Sequence, residues 1–476
     1  MGRIGRPARV FPPLPCRGQA AGARALRAAA LASLSALALA GCAKRELILS
    51  GERFDIRTPL EASLPEGEAA GAVAPLRIVG DAATENQAPP LALAAARSLA
   101  DWPQRGAGPG HLVPHLALSP VPSPVWRVDI GDGNDRKHRI TADPVVGGGR
   151  IFTLDSRARV MAHGLDAAAL WSADLTPSAD RAGEASGGGL ALAGERLFVT
   201  SGFGSVSALD AATGAVIWRQ DIGGVGTAAP AVMGDMLYVM GRDNRAWGIR
   251  TADGKVVWEI GGTPAASGYV GGPGAAVDGR IAVLPFAGGE LTAVLRLSGV
   301  RSWSANVSGE RAGRVSAQVL DIGGDPVLDG NVLYAANSSG RMAAFDAGNG
   351  KRLWTATEGS VGMVVPAGGS LFLVSDTAEL LRIDAATGAR IWGTRLPDYV
   401  KEKPKKRKTV HAHFGPILAG GRLIVASDDG LLRFFDPVSG APAGQAALPG
   451  GAASNPVVAG NTLYIVTGKG ELAAYR

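Results

Sequence analysis

The sequence predicts an all-β fold, an eight-bladed β-propeller of four-stranded antiparallel blades with the ring closed by an N-terminal strand. Three observations carry that prediction. Residues 210–218 (DAATGAVIW) return as TADGKVVW ending at Trp258, DAGNGKRLW ending at Trp354 and DAATGARIW ending at Trp392. Self-similarity at roughly 40–45 residues marks propeller blades or solenoid units. Each copy closes a unit of short β-branched and aromatic runs separated by Gly, Asp and Asn, which is strand and hairpin chemistry. The last unit stops one strand short, while a Trp-bearing strand without a blade of its own stands upstream.

Composition agrees with many short strands joined by tight turns: 68 of the 476 residues are Gly and only 19% are charged. Of nine Trp, seven fall at one repeat position, which makes Trp part of the architecture. The formal net charge of +6 equals the six arginines Arg3, Arg6, Arg9, Arg17, Arg24 and Arg27, which precede residue 42 with no Lys or acidic residue among them. Without residues 1–41 the chain is neutral, so the basic pI does not indicate nucleic acid.

In chain order, residues 1–41 read as a signal peptide: an Arg-rich start, a 13-residue Ala/Leu/Ser run at 28–40 and small residues at the end, too short for a spanning helix. The segment ends Leu39-Ala40-Gly41-Cys42, which resembles the lipobox of bacterial lipoproteins. That resemblance implies cleavage before Cys42 and acylation of it, and with Ala43 rather than Asp next, sorting to the outer membrane. Several acyl chains anchor stably, because each buried CH₂ contributes about 0.8 kcal/mol. Cys16 leaves with the signal, so the mature chain keeps no thiol for a disulfide or a thiolate metal site. Residues 42–100, rich in Ala, Pro and Glu, read as a flexible tether with one short helix near residues 91–99. Residues 101–123 read as an ordered lead-in, and 124–476 as the propeller.

Units open near residues 141, 187, 228, 271, 323, 363, 414 and 453, often behind a Pro such as Pro144, Pro230, Pro326, Pro416 or Pro456. Pro at the first residue of a strand loses no ladder hydrogen bond. Second strands follow, such as RIFTLDS (150–156), RLFVTSG (196–202) and TLYIVTG (462–468), then a third strand, an Asp-x-x-x-Gly turn and a fourth strand carrying Trp. The eighth unit ends at Arg476 after its third strand; PVWRVDIG (124–131) supplies the missing one and would remove two exposed edges together. Trp126, Trp171, Trp218, Trp258, Trp303, Trp354 and Trp392 occupy matching positions, and Gly444 stands there in the seventh unit. Such regularity predicts indoles packed between neighbouring blades, not a ligand-stacking ring.

A Gly-x-x-x-Trp strand repeated in an eight-bladed propeller resembles the pyrroloquinoline-quinone-type repeat, shared by quinoprotein dehydrogenases and by the BamB lipoproteins of the outer-membrane β-barrel assembly machine. Lipobox, tether, mature length and closing strand resemble the BamB family. That resemblance covers roughly residues 121–476 and implies a non-catalytic, lipid-anchored scaffold on the periplasmic face of the outer membrane. It implies binding to the POTRA domains of BamA, contact with other assembly-machine subunits, and assistance to unfolded outer-membrane proteins. The family's BamA contacts lie in two interblade loops, here residues 263–272 and 308–324. They place the partner-binding candidates at Tyr269, Val270, Asp321 and Ile322. Two features depart from the family: Gly323 stands where a second acidic residue is expected, and Ala-Ser-Gly-Tyr-Val replaces a Leu/Arg cluster. Asp321 reads equally as a turn cap.

The alternative is a periplasmic quinoprotein-like dehydrogenase or small-ligand-binding propeller. Such a dehydrogenase commonly sets a vicinal disulfide against a calcium-bound quinone, and no Cys pair exists here, so no cofactor is expected. His411 and His413 read as surface histidines and not a metal site, with no thiolate or clear carboxylate beside them. The glycines of 223–226 and 271–274 are not phosphate loops, because no helix follows. No Ser/His/Asp arrangement stands out, and no catalytic residue is expected. Residues 401–408 (KEKPKKRK) interrupt the repeat with six cations and one Glu. They read as a solvated loop, or as a contact with anionic lipid headgroups or an acidic partner.

Overall fold

A computed structural model describes residues 88–476 except 182, 225, 227, 264–270, 308, 310, 312–318 and 402. The signal segment, Cys42 and residues 42–87 of the tether lie outside the described residues. From residue 124 on, the described residues form eight four-stranded antiparallel sheets. Blades 1–7 follow chain order at 145–174, 188–221, 231–261, 276–306, 327–356, 365–395 and 413–447. Blade 8 combines Val457–Ala459, Thr462–Val466 and Glu471–Tyr475 with Pro124–Asp129. Trp126 pairs with Ala474 and Asp129 with Glu471, while Ser123 and Arg476 exchange backbone hydrogen bonds of 2.8 and 2.9 Å. Ring closure by the upstream strand is therefore as the repeat count predicts.

Blade 2 shows how the repeat writes its own geometry. Strands Gly188–Ala193, Arg196–Ser201, Ser205–Asp210 and Val216–Asp221 run from channel to rim. The Asp210 carboxylate accepts from the N–H groups of Ala212 and Thr213 and from the Thr213 hydroxyl, the Asx turn that the Asp-x-x-x-Gly motif encodes. Gly214 then takes φ +76°, and a Cβ there would stand 2.4 Å from the Trp171 ring of the preceding blade. Only glycine allows that approach without strain. The Trp171 indole N–H donates to Ala211 O at 3.1 Å. Trp218, Trp258, Trp303 and Trp354 reach the next blade in the same way, at 2.9–3.0 Å.

Across the hairpin, each Trp faces a small residue: Ala474, Ala162, Ala208, Gly248, Ala293 and Ala344 face Trp126, Trp171, Trp218, Trp258, Trp303 and Trp354. Blades 6 and 7 depart, with Arg382 opposite Trp392 and Phe434 opposite Gly444. In blade 7 the aromatic has moved to the facing strand.

Residues 91–99 are not helical. Their Ala/Leu content favours a helix by propensity, but tertiary contacts override it: Arg97 N–H donates to His115 O at 2.9 Å, and Leu91 and Leu93 pack on the apolar cluster of blades 6 and 7. Residues 88–118 form an extended strap that makes one circuit of the channel. Pro89 O accepts from the buried Arg382 of blade 6 at 2.9 Å, and Leu99 O accepts from Gly460 N–H of blade 8 at 2.7 Å. Trp102 then exchanges bonds with Val146 of blade 1, and Pro103 O takes Leu192 N–H of blade 2. The Gln104 side chain pairs with the Val232 backbone of blade 3. Pro109 O and Gly110 O accept from Val277 of blade 4 and Leu328 of blade 5, and Leu116 reaches Leu418 of blade 7. In blades 1–5 and 7 the inner strands are thus paired at the channel by the chain's own lead-in.

Candidate partner-binding face

In a four-stranded antiparallel blade, the turns between strands 2 and 3 share one end with the crossings to the next blade. Both candidate loops belong to crossings, so their described ends lie on that face together. Between blades 3 and 4 the face opens into a small cleft of about 60 Å³. Met240, Pro285, Phe286 and Ile322 give it apolar walls, and Arg242, Asn244 and Asp321 stand around it.

The described ends of both loops are pinned by polar side chains. Asn244, in the left-handed region at φ +64°, bonds through its side chain to Thr263 O and to Ala287 N–H. Thr263 N–H donates to Glu290 at 3.0 Å. Burial works to raise the Glu290 pKa, but bonds from Thr263 and Thr292 outweigh it and hold the group below its ordinary value. In the second loop, Asn337 donates to Val307 O and Gly309 O and accepts from the N–H groups of Ser339 and Arg341. Arg311 grips Asp376 of blade 6 with two bonds of 3.2 and 3.0 Å. Desolvation opposes its charge, yet Asp376, Glu358 and Glu379 together raise its pKa.

Of the sequence candidates, Asp321 and Ile322 sit at the foot of the second loop. Asp321, 8% exposed, accepts from Gly288 N–H at 2.8 Å, so the turn-cap reading describes its side chain. Ile322, 1% exposed, belongs to the core of blades 4 and 5 and bridges Asn337. Its burial makes it a support for the foot of the loop. Tyr269 and Val270, like Cys42, lie outside the described residues.

The reading of both histidines as surface residues also needs correction. His411 pairs with Asp428 at 2.7 Å at the surface, but His413 is buried. Its Nε2–H donates to Pro397 O and its Nδ1 accepts from Ser427, which in turn accepts from Arg433. Burial lowers the His413 pKa and keeps the ring neutral.

The sequence reading missed the channel. Arg105, carried by the strap, spans it: its Nε meets Asp143 of the blade 1 opening at 3.0 Å and its Nη1 meets Asp325 of the blade 5 opening at 3.4 Å. These blades are diametrically opposite in a ring of eight. Thr141 O accepts a third bond, Asn455 donates to Asp143, and Gly274 N–H donates to Asp325. Burial opposes the guanidinium charge, but the two carboxylates outweigh it and raise the pKa. The available signal was the polar residue before three of the opening prolines, in Asp143-Pro144, Asp325-Pro326 and Asn455-Pro456.

An eight-bladed propeller whose fourth strands carry a recurring Gly-x-x-x-Trp defines the quinoprotein-like repeat class. The family profile described as outer membrane protein assembly factor BamB matches residues 163–394 and 401–476. The BamB of Shewanella oneidensis is 26% identical over 375 residues, covering 74% of this chain and 88% of that protein. The BamB of Yersinia pestis is 25% identical over 364 residues with the same coverage. Among solved structures, BamB from Moraxella catarrhalis superposes with a TM-score of 0.63 at 19% identity, over 75% of this chain and all of that one. The quinohemoprotein alcohol dehydrogenase of Comamonas testosteroni shares the fold, with a TM-score of 0.61 at 14% identity over 80% of this chain and 81% of that one. The chain belongs to the BamB family of outer-membrane protein assembly factors. No described helix is long and apolar enough to cross a membrane.

Proposed function

We propose that this protein is a non-catalytic scaffold of the outer-membrane β-barrel assembly machine, anchored through lipid on Cys42 after removal of residues 1–41. Residues 42–87 serve as its tether. Its cleft face docks the POTRA domains of BamA and positions unfolded outer-membrane proteins for insertion. The observation that carries this reading is the cleft between blades 3 and 4, set between two crossing loops whose ends are pinned by Asn244, Asn337 and Arg311. An apolar-walled cleft with a polar rim suits an anchor side chain of a partner protein.

A quinone with calcium does not fit the described residues. The channel carboxylates Asp143 and Asp325 are engaged by Arg105, and the strap fills the space a cofactor would need. The tagged, full-length lipoprotein should co-purify from detergent-solubilised envelopes with a POTRA-containing barrel protein in near-equal amount. Recovery of other envelope complexes without that protein would sink the proposal. Cys42→Ser should abolish incorporation of labelled fatty acid and release the protein from membranes.

A further inference from the structure

Between blades 6 and 7 the crossing rises as a hairpin. Val400 N–H donates to Thr409 O at 3.0 Å, Tyr399 pairs with Val410, and His411 N–H donates to Asp398 O at 2.7 Å. The 3₁₀ turn Pro404–Lys406 shapes its far end. This finger carries Lys401, Lys403, Lys405, Lys406, Arg407 and Lys408. The five lysines are exposed, and among the described residues none lies within 4.0 Å of a carboxylate. The Arg407 guanidinium lies 5.0 Å from the Tyr399 ring centre, and Val400 and Val410 flank the stem at 47% and 56% exposure. With the mature chain neutral, six cations against Glu402 leave the remainder at −5. A hydrogen-bonded stem thus holds like charges together against their mutual repulsion.

We propose that this finger is a second docking element, and that it engages an acidic patch on the protein that covers the cleft face. The inference rests on the scaffold reading above and extends it. Two placements favour a protein over an anionic membrane. As a blade crossing, the finger stands on the cleft face, roughly a quarter to three-eighths of the ring from the cleft. The strap, by contrast, joins the propeller at the opposite face, where Ala92 approaches the turn at Gly368 and Leu116 O takes Gly420 N–H. Clustered cations on one docking face accelerate encounter with an acidic partner and make the complex salt-sensitive.

The test uses full-length lipidated protein with all six finger cations replaced by Ser, co-purified from solubilised envelopes over a salt series. At low salt the variant should recover its partner about 10-fold less well than wild type, with the difference vanishing near 1 M, where the screening length is about 3 Å. The unfolding midpoint should not move. A milder variant, Lys401→Ser/Lys403→Ser/Lys405→Ser, keeps Arg407 on Tyr399 and should lose about 3-fold. Equal recovery by variant and wild type at low salt overturns the inference. If binding of the Cys42→Ser protein to phosphatidylglycerol vesicles is then also lost in the finger variant, the finger reads lipid instead. Failure of wild type itself to recover a POTRA-containing partner sinks the scaffold reading and this inference with it.

Discussion

Arg105→Met tests whether the channel strut stabilises the ring. Met keeps the apolar reach but leaves Asp143 and Asp325 without their cation, at side-chain exposures of 7% and 1%. Removing one partner of a buried ion pair costs about 3–5 kcal/mol, because a charge stays buried without compensation. Asp143 retains Asn455 and Asp325 retains Gly274 N–H, which favours the lower end. Over roughly 370 described residues, about 2.1 cal/mol/K per residue gives an unfolding entropy near 0.8 kcal/mol/K. The expected fall in Tm is therefore ~4–6 °C, read by circular dichroism on the mature chain. Adding Asp143→Asn and Asp325→Asn should restore most of the loss, since neutral amides need no counter-ion. A single variant within about 1 °C of wild type would refute the argument, for it would mean that water reaches the carboxylates freely.

Gly388→Ala forces φ +74° on a Cβ that would stand 2.5 Å from the Trp354 ring, and should lose about 2–3 kcal/mol in urea unfolding. Ala167 occupies the matching position of blade 1 at φ +73°, so Ala167→Gly should instead gain up to ~1 kcal/mol. His163 and His413 both have pKa values lowered by burial. Their unfolded forms bind protons more readily, so stability should hold above about pH 6.5 and fall as pH drops below it. His163→Gln with His413→Gln should flatten the slope of Tm between pH 7 and 5, and an unchanged slope would count against this account. Arg311→Ala releases the second crossing loop from Asp376. It should lower partner recovery several-fold while costing only about 1–3 kcal/mol of stability; undiminished recovery would show that the loop needs no anchor.

The blades were legible because each rests on local chemistry: alternation, Asx turns, left-handed glycines and a Trp that returns at the same step. Even the closing strand was legible, since Trp126 had no blade and the last blade had no Trp. The strap was not. Residues 88–118 carry no period, and Leu91–Leu93 or Trp102 reveal their role only against inner strands hundreds of residues away. For the same reason a helix was expected where propensity was the sole guide. At the candidate site, the resemblance pointed to two loops, and Ile322 has the composition of a contact and the environment of a core residue. Burial, not sequence, separates the two. His413 is a similar case, since its partners Pro397, Ser427 and Arg433 meet only once the blade has formed.

The strap also changes what the ring can do. A propeller closed by one strand depends on Pro124–Asp129 staying paired with Glu471–Tyr475, and that pair alone holds the termini together. Here the strap lies just ahead of the closing strand and bonds to the inner strands of blades 1, 2, 4, 5 and 7, so opening the seam would also require unthreading Arg105 from Asp143 and Asp325. The two closures share one continuous segment, so loss of either is opposed by the other.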